Sequence, residues 1–237
     1  MRLIHLLTLT TLLCAPLTQA QTAQQEVFGE HYYQTNQIQS SFTENDDDYT
    51  FLVVGDWGRN GHFAQRSVAK WMDIAAYQFD AEMIISTGDN FYDNGIASVN
   101  DPYWQSSYEN IYYGPHLFID WYVVLGNHDY RGNWQAQIDY SAISRRWNMP
   151  AQYFDKLITL EAGGSVHLIF LDTSPLNPDY QHEAKYRETQ RQDSKAQLAW
   201  FEQTLKRHQN ANWTIVIGHH PLYSSGKRYG KTSAVRG

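Results

Sequence analysis

The chain has 237 residues, a mass of 27.5 kDa and a composition 42% hydrophobic and 15% aromatic, enough for one domain with a sizeable core. A formal charge of −7 and a pI near 5.7 leave no broad basic face for a nucleic-acid backbone. Cys14 is the sole cysteine, which excludes cysteine-ligated zinc, a disulfide scaffold and an internal thiol/disulfide pair.

Residues 1–20 read as a secretory signal. Arg2 supplies a basic start, Leu6 to Ala15 an apolar run too short to span a bilayer, and Thr18-Gln19-Ala20 a small-residue cleavage site. Leu13 before Cys14 does not suit a lipoprotein signal, so the expected location is secreted or periplasmic, with no membrane partner once the signal is removed. Residues 21–48 are rich in Gln, Thr, Asn and Ser and end in Asp46-Asp47-Asp48; they read as a flexible polar lead-in. Residues 49–237 read as one unit.

In chain order, Phe51–Val54, Met83–Ile85 and Tyr122–Leu125 are β-rich runs, each followed by glycine and polar residues. Helices are predicted over 62–79, with Phe63, Val68, Trp71, Met72, Ala75 and Phe79 on one face, and over 101–113 and 133–147. Tyr153–Leu160 and Val166–Leu171 read as a hairpin around Gly163-Gly164. Ser194-x-x-Gln197 resembles a capping box opening a helix to about Arg207, and Trp213–Ile217 is a last strand. The alternation predicts an α/β architecture with mixed sheets.

The chemistry lies where the strands end, at Gly55-Asp56-Trp57-Gly58, Gly88-Asp89-Asn90-Phe91-Tyr92, Gly126-Asn127-His128-Asp129 and Gly218-His219-His220-Pro221. Four strand ends each deliver a carboxylate, amide or imidazole directly after a glycine, and ligands of α/β folds bind at the carboxyl ends of strands. Oxygen donors mixed with imidazole suit Fe, Mn or Zn. One such turn is ordinary turn chemistry. Four in series point to a shared metal pocket.

In that order, GDWG, GDNFY, GNHD and VxGH resemble four of the five motif blocks of the purple acid phosphatases, within the calcineurin-like metallophosphoesterases. GDNFYDNG, WYVVLGNHDYRGN and IVIGHHPLYSSG are similar to the small, tartrate-resistant type, and the resemblance runs from about residue 50 to residue 226. It implies a two-sheet β-sandwich flanked by helices and a dinuclear centre of Fe(III) with divalent Fe, Zn or Mn. By the resemblance, Asp56, Asp89 and Tyr92 bind the ferric ion, while Asp89 bridges to a second metal held also by Asn127 and His219. By the same resemblance, His128 faces the substrate, a small-molecule or protein phosphate monoester, and either protonates its leaving group or holds the phosphate by hydrogen bonding. Asp129 is expected to orient a ring beside it.

The family's fifth block, Gly-His-x-His, is absent from this sequence, so the chain is expected to be a fold incomplete at its C-terminal end, with each metal one histidine short and the chain itself inactive. His220 is read as either touching phosphate or packing. His31, His62, His116, His167, His182 and His208 are read as ordinary surface or core residues. Gly230-Lys231-Thr232 lacks the leading glycine of a phosphate loop, because position 225 is Ser225. Asn212-Trp213-Thr214 is a glycosylation sequon by pattern only, and no Gly-x-Ser-x-Gly exists. Three functions are set against one another: an acid phosphatase, a related metallophosphodiesterase or nucleotidase, and a non-catalytic secreted binding protein on a damaged site.

Overall fold

A computed structural model describes residues 28–40 and 48–222. The secretory signal and Gly230-Lys231-Thr232 lie outside those residues. Two sheets share one core. The first holds β1 (Phe51–Val54), β2 (Met83–Ser86), β3 (Asp120–Val123) and β4 (Trp147–Asn148), in that order and all parallel. The second holds β5 (Phe154–Thr159), β6 (Ser165–Phe170) and β7 (Trp213–Ile217); β5 and β6 are antiparallel, β6 and β7 parallel. Met83-Ile84-Ile85-Ser86 is buried at every position, as a central parallel strand must be when both faces are covered. Ile84, Val123 and Trp121 from the first sheet and Phe154, Leu168 and Phe170 from the second belong to one apolar cluster.

Helix α1 (Glu30–Thr35) lies inside the segment read as a flexible lead-in. Its Tyr33 is buried, stacks on Tyr77 with ring centroids 4.3 Å apart, and donates its hydroxyl to Asp73 Oδ2 at 2.8 Å. One tyrosine in a polar stretch carries too little periodicity to announce a helix; tertiary docking makes it. Helix α2 spans Gln65–Gln78, three residues shorter at its start than expected, because Phe63 and Ala64 adopt left-handed φ values of 51° and 66°. Phe63 is consequently exposed, and Val68 and Trp71 are half-exposed; the buried face is Ala69, Met72, Asp73, Ile74 and Ala76.

The predicted helix over 133–147 divides into α3 (Gln135–Asp139), a 3-10 turn at Tyr140–Ala142 and β4, while 101–113 contains a π-helical stretch at Trp104–Glu109. Aromatic packing occupies both places. Trp104 stacks on Tyr140 at 3.5 Å, and Tyr108 packs against Trp121 and Trp147. Helix α4 (Ser194–Arg207) is capped one residue earlier than the Ser-x-x-Gln pattern implies. Asp193 accepts from Ala196 N at 2.9 Å, and Gln197 instead reaches Asp172 N and O at 2.8 and 2.9 Å. No helix among the described residues is long and apolar enough to cross a membrane.

Candidate metal centre

The loops after β1, β2 and β3 are laced together at the carboxyl edge of the first sheet. Asp56 N donates to Gly88 O at 3.0 Å, and Tyr92 N to Gly58 O at 2.8 Å. The approach requires missing side chains: a Cβ on Gly126 would lie 2.2 Å from Asp89 N, and one on Gly58 only 1.7 Å from Asn90 O. Asp56 and Asp89 hold left-handed φ values of 58° and 52°, a region that aspartate enters more readily than most residues. Trp57 anchors the first loop from below, burying its ring against Phe91 and donating Nε1 to Ser86 Oγ at 2.8 Å.

Asp129 holds the loops rather than a ring, which corrects the expectation for it. Its buried carboxylate accepts from the main-chain N–H groups of Asn90 (3.1 Å), Phe91 (3.2 Å) and Gly126 (2.8 Å) and from Gln137 Nε2 (2.8 Å). Burial first, then the charge of Asp89, push this carboxyl well above the usual carboxylate range, against the opposing pull of those donors.

The expected donors converge. Tyr92 Oη lies 2.6 Å from Asp56 Oδ1 and 2.6 Å from Asp89 Oδ2. His219 Nε2 lies 3.2 Å from Asn127 Oδ1 and 3.5 Å from Asp89 Oδ1. Ligand atoms of Asp56, Asp89 and His219 all fall within 4.8 Å of one another. His219 and Asn127 are each turned inward by a neighbour. His219 Nδ1 donates to the Thr87 carbonyl at 3.0 Å, leaving Nε2 with a lone pair facing the cluster. Asn127 Nδ2 donates to Tyr186 Oη at 2.9 Å, which points Oδ1 at His219. Tyr186 Oη also accepts from Arg131 Nη2 at 2.7 Å.

The donor set fits a cation. A phenol has one proton, so the hydroxyl of Tyr92 can satisfy only one of its two 2.6 Å carboxylate contacts. The other brings two oxygens together with no hydrogen between them. Burial, then hydrogen bonding to Asp56 and Asp89, raises the Tyr92 pKa far above a free phenol, so without a cation the proton stays and the mismatch persists. A hard, highly charged ion that displaces the proton resolves it.

His128 sits beside these donors without joining them. Its Nδ1 donates to Asp93 O at 2.7 Å, its ring lies 4.3 Å from that of Tyr92, and Nε2 stays 3.9 Å from Asp89 Oδ2 at the open side. Burial lowers its pKa, with Asp89 and the Asp93 carbonyl opposing. His220 is a packing residue. It is buried, with Nδ1 2.7 Å from Thr173 Oγ1 and Nε2 2.8 Å from Tyr180 Oη, so both ring nitrogens are engaged away from the cluster.

Two residues escaped sequence reasoning. Tyr186 lies in a polar stretch with no motif. Arg59 directly follows the Gly55–Gly58 turn, a position that could have drawn notice; its guanidinium carbon sits 3.5 Å from the Tyr92 ring centroid.

A second group, Asp155, His167 and His208, also brings ligand atoms within 4.8 Å. It reads as an ordinary polar cluster. Asp155 is already shared by His167 Nε2 at 3.0 Å and Arg207 Nη1 at 3.6 Å, and the buried His167 Nδ1 lacks the partner that a metal-bound imidazole needs for its remaining N–H.

Residues 49–236 match the family model described as calcineurin-like phosphoesterase. The chain belongs to that family. Among curated relatives, this chain is 40% identical over 192 residues to purple acid phosphatase 17 of Arabidopsis thaliana, covering 77% of this chain and 55% of the relative. It is 34% identical over 184 residues to human tartrate-resistant acid phosphatase type 5, covering 73% of this chain and 56% of that one. Among solved structures it is similar to GAP50, titled the anchor in the inner membrane complex of Plasmodium, with a TM-score of 0.63 and 26% identity over 76% of this chain and 57% of the other. The chain thus spans about half the length of the curated relatives it matches.

Proposed function

We propose that this chain carries the metal-binding face of a secreted acid phosphatase that hydrolyses phosphate monoesters at a dinuclear centre of Fe(III) and divalent Fe, Zn or Mn. The observation that carries the reading is the Tyr92 hydroxyl lodged between Asp56 and Asp89. Phenolate and carboxylate are hard anionic donors that favour Fe(III), so Asp56, Asp89 and Tyr92 hold that ion. Asp89, Asn127 and His219 hold the divalent ion, with Tyr186 and the Thr87 carbonyl fixing the orientation of the last two. When bound, the two ions supply Lewis-acid charge against the phosphate and activate water. His128, with its Nδ1–H tied to Asp93 O, presents Nε2 to the leaving oxygen and supplies a proton from that nitrogen when the ring is in its doubly protonated, imidazolium form.

The same residues argue against a non-catalytic binder, the reading that the likeness to a structure titled an anchor would favour, because the five donors Asp56, Asp89, Tyr92, Asn127 and His219 lie together at the ends of their strands. The test is Tyr92→Phe in the iron-loaded protein that also carries the Gly-His-x-His block. A phenolate bound to Fe(III) gives a visible charge-transfer band, and the substitution removes one oxygen while keeping the ring. Wild type is expected to be purple and the variant colourless. Iron-loaded wild type without the band, cleaving a bis(p-nitrophenyl) phosphate diester in preference to p-nitrophenyl phosphate, would move the assignment to a phosphodiesterase.

A further inference from the structure

We infer that Arg59 is a positioning residue that sets the donor strength of Tyr92 by holding a permanent cation against the face of its ring. The inference rests on the reading of Tyr92 as a ferric ligand. The guanidinium carbon is 3.5 Å from the Tyr92 centroid, in stacking contact, and 5.2 Å from that of Phe63. Its charged neighbour is Asp93, with Nη1 to Oδ1 at 3.7 Å, but that carboxylate side chain is 76% exposed and solvent-screened. The ring is therefore the principal partner.

The position is built rather than incidental. Gln65, buried in the first turn of α2, accepts from Arg59 N at 3.1 Å and from Gly61 N at 2.7 Å. Its Nε2 donates in turn to Ser107 O at 2.7 Å, and Asn60 N donates to Ser107 Oγ at 3.0 Å. The turn from which Arg59 projects is thereby pinned to the π-helical stretch at Trp104–Glu109.

A neutral phenol attracts a stacked guanidinium through its quadrupole alone. A phenolate spreads a full negative charge into the ring, so the attraction becomes one between ions, and the flat, permanently charged guanidinium suits the face of that ring. Arg59 therefore stabilises the donor orbitals of Tyr92 more than it affects an ion bound at the far side of the oxygen. Lower donor orbitals raise the energy of oxygen-to-iron charge transfer. A weaker donor with a cation nearby also favours the reduced over the oxidised ion.

The experiment compares iron-loaded wild type with Arg59→Met, which keeps length without charge, and Arg59→Lys, which keeps charge without the planar face. Visible absorption, the Fe(III)/Fe(II) potential, metal content and far-UV circular dichroism are recorded for each. Arg59→Met is expected to retain metal and fold, to move the band to longer wavelength and to lower the potential. Arg59→Lys is expected to restore the potential more fully than the band. A band and potential that stay at wild-type values in Arg59→Met overturn the role of Arg59 while leaving Tyr92 as a ligand. A wild type that holds iron but shows no visible band overturns both.

Discussion

The side-chain amide of Asn127 donates to the hydroxyl of Tyr186 at 2.9 Å, and that hydroxyl is held in turn by Arg131. An amide can present either its oxygen or its nitrogen to a metal, and only the oxygen is a ligand. Tyr186 makes that choice by occupying the nitrogen.

Tyr186→Phe should therefore weaken divalent-metal binding by roughly 10–100-fold, the usual scale for losing a group that orients a ligand. The fold should persist. Calorimetric titration with Zn(II) or Mn(II), alongside far-UV circular dichroism, checks this; unchanged affinity would mean that Asn127 is held by other means.

In a protein that also carries the Gly-His-x-His block, His128→Ala should lower kcat for p-nitrophenyl phosphate by ~10²-fold or more, the scale of general acid work. Metal content should stay near wild type, because His128 lies outside the group formed by Asp56, Asp89 and His219 and its Nδ1 is committed to Asp93 O. Elemental analysis of the purified variant decides the matter: an empty site would make His128 a ligand.

Asp129 is a structural staple, and both replacements of it should be costly. Asp129→Ala removes the acceptor for three buried N–H groups and Gln137, and each buried donor left unsatisfied costs about 1–3 kcal/mol. Asp129→Asn keeps the shape but turns an NH₂ group toward N–H donors, so it should recover only part of that loss. Urea denaturation of the three proteins tests it; an Asn variant as stable as wild type would refute the staple.

The expectation for Asp129 also shows what the sequence could and could not reveal. Glycine followed by a donor, repeated at four strand ends, is a local pattern that marks Asp56, Asp89, Asn127 and His219; Tyr92 and His128 come from the family resemblance, and the structure brings all six near one another. The partners of Asp129 are backbone groups of another loop, which carry no residue identity to read. Tyr186, Thr173 and Tyr180 act across long sequence separations for the same reason. Helix ends failed where tertiary packing overrode periodicity, as at Phe63-Ala64 and in the Trp104–Tyr140 stack.

Asp172 makes stability depend on pH. It is fully buried, accepts from the Tyr130 hydroxyl, Gln152 Nε2 and Ser174 N, and burial pushes its carboxyl up to about 6. A carboxyl whose folded pKa exceeds its unfolded value, about 3.9, contributes stability that is full below the unfolded pKa and lost as pH rises through the folded one. Relative to Asp172→Asn, wild type should lose on the order of 2–3 kcal/mol between about pH 4 and pH 7. Denaturation midpoints measured across that range give the comparison, and parallel curves would refute it.

The donors at Asp56 and His219 open and close almost the whole described chain, with β2 and β3 supplying the others between them. Parallel pairing of this kind brings together segments distant in sequence and forms slowly. No local fragment carries enough ligands to capture an ion early, so metal enters a scaffold already assembled. Uptake kinetics should then report the final stage of folding rather than its nucleation.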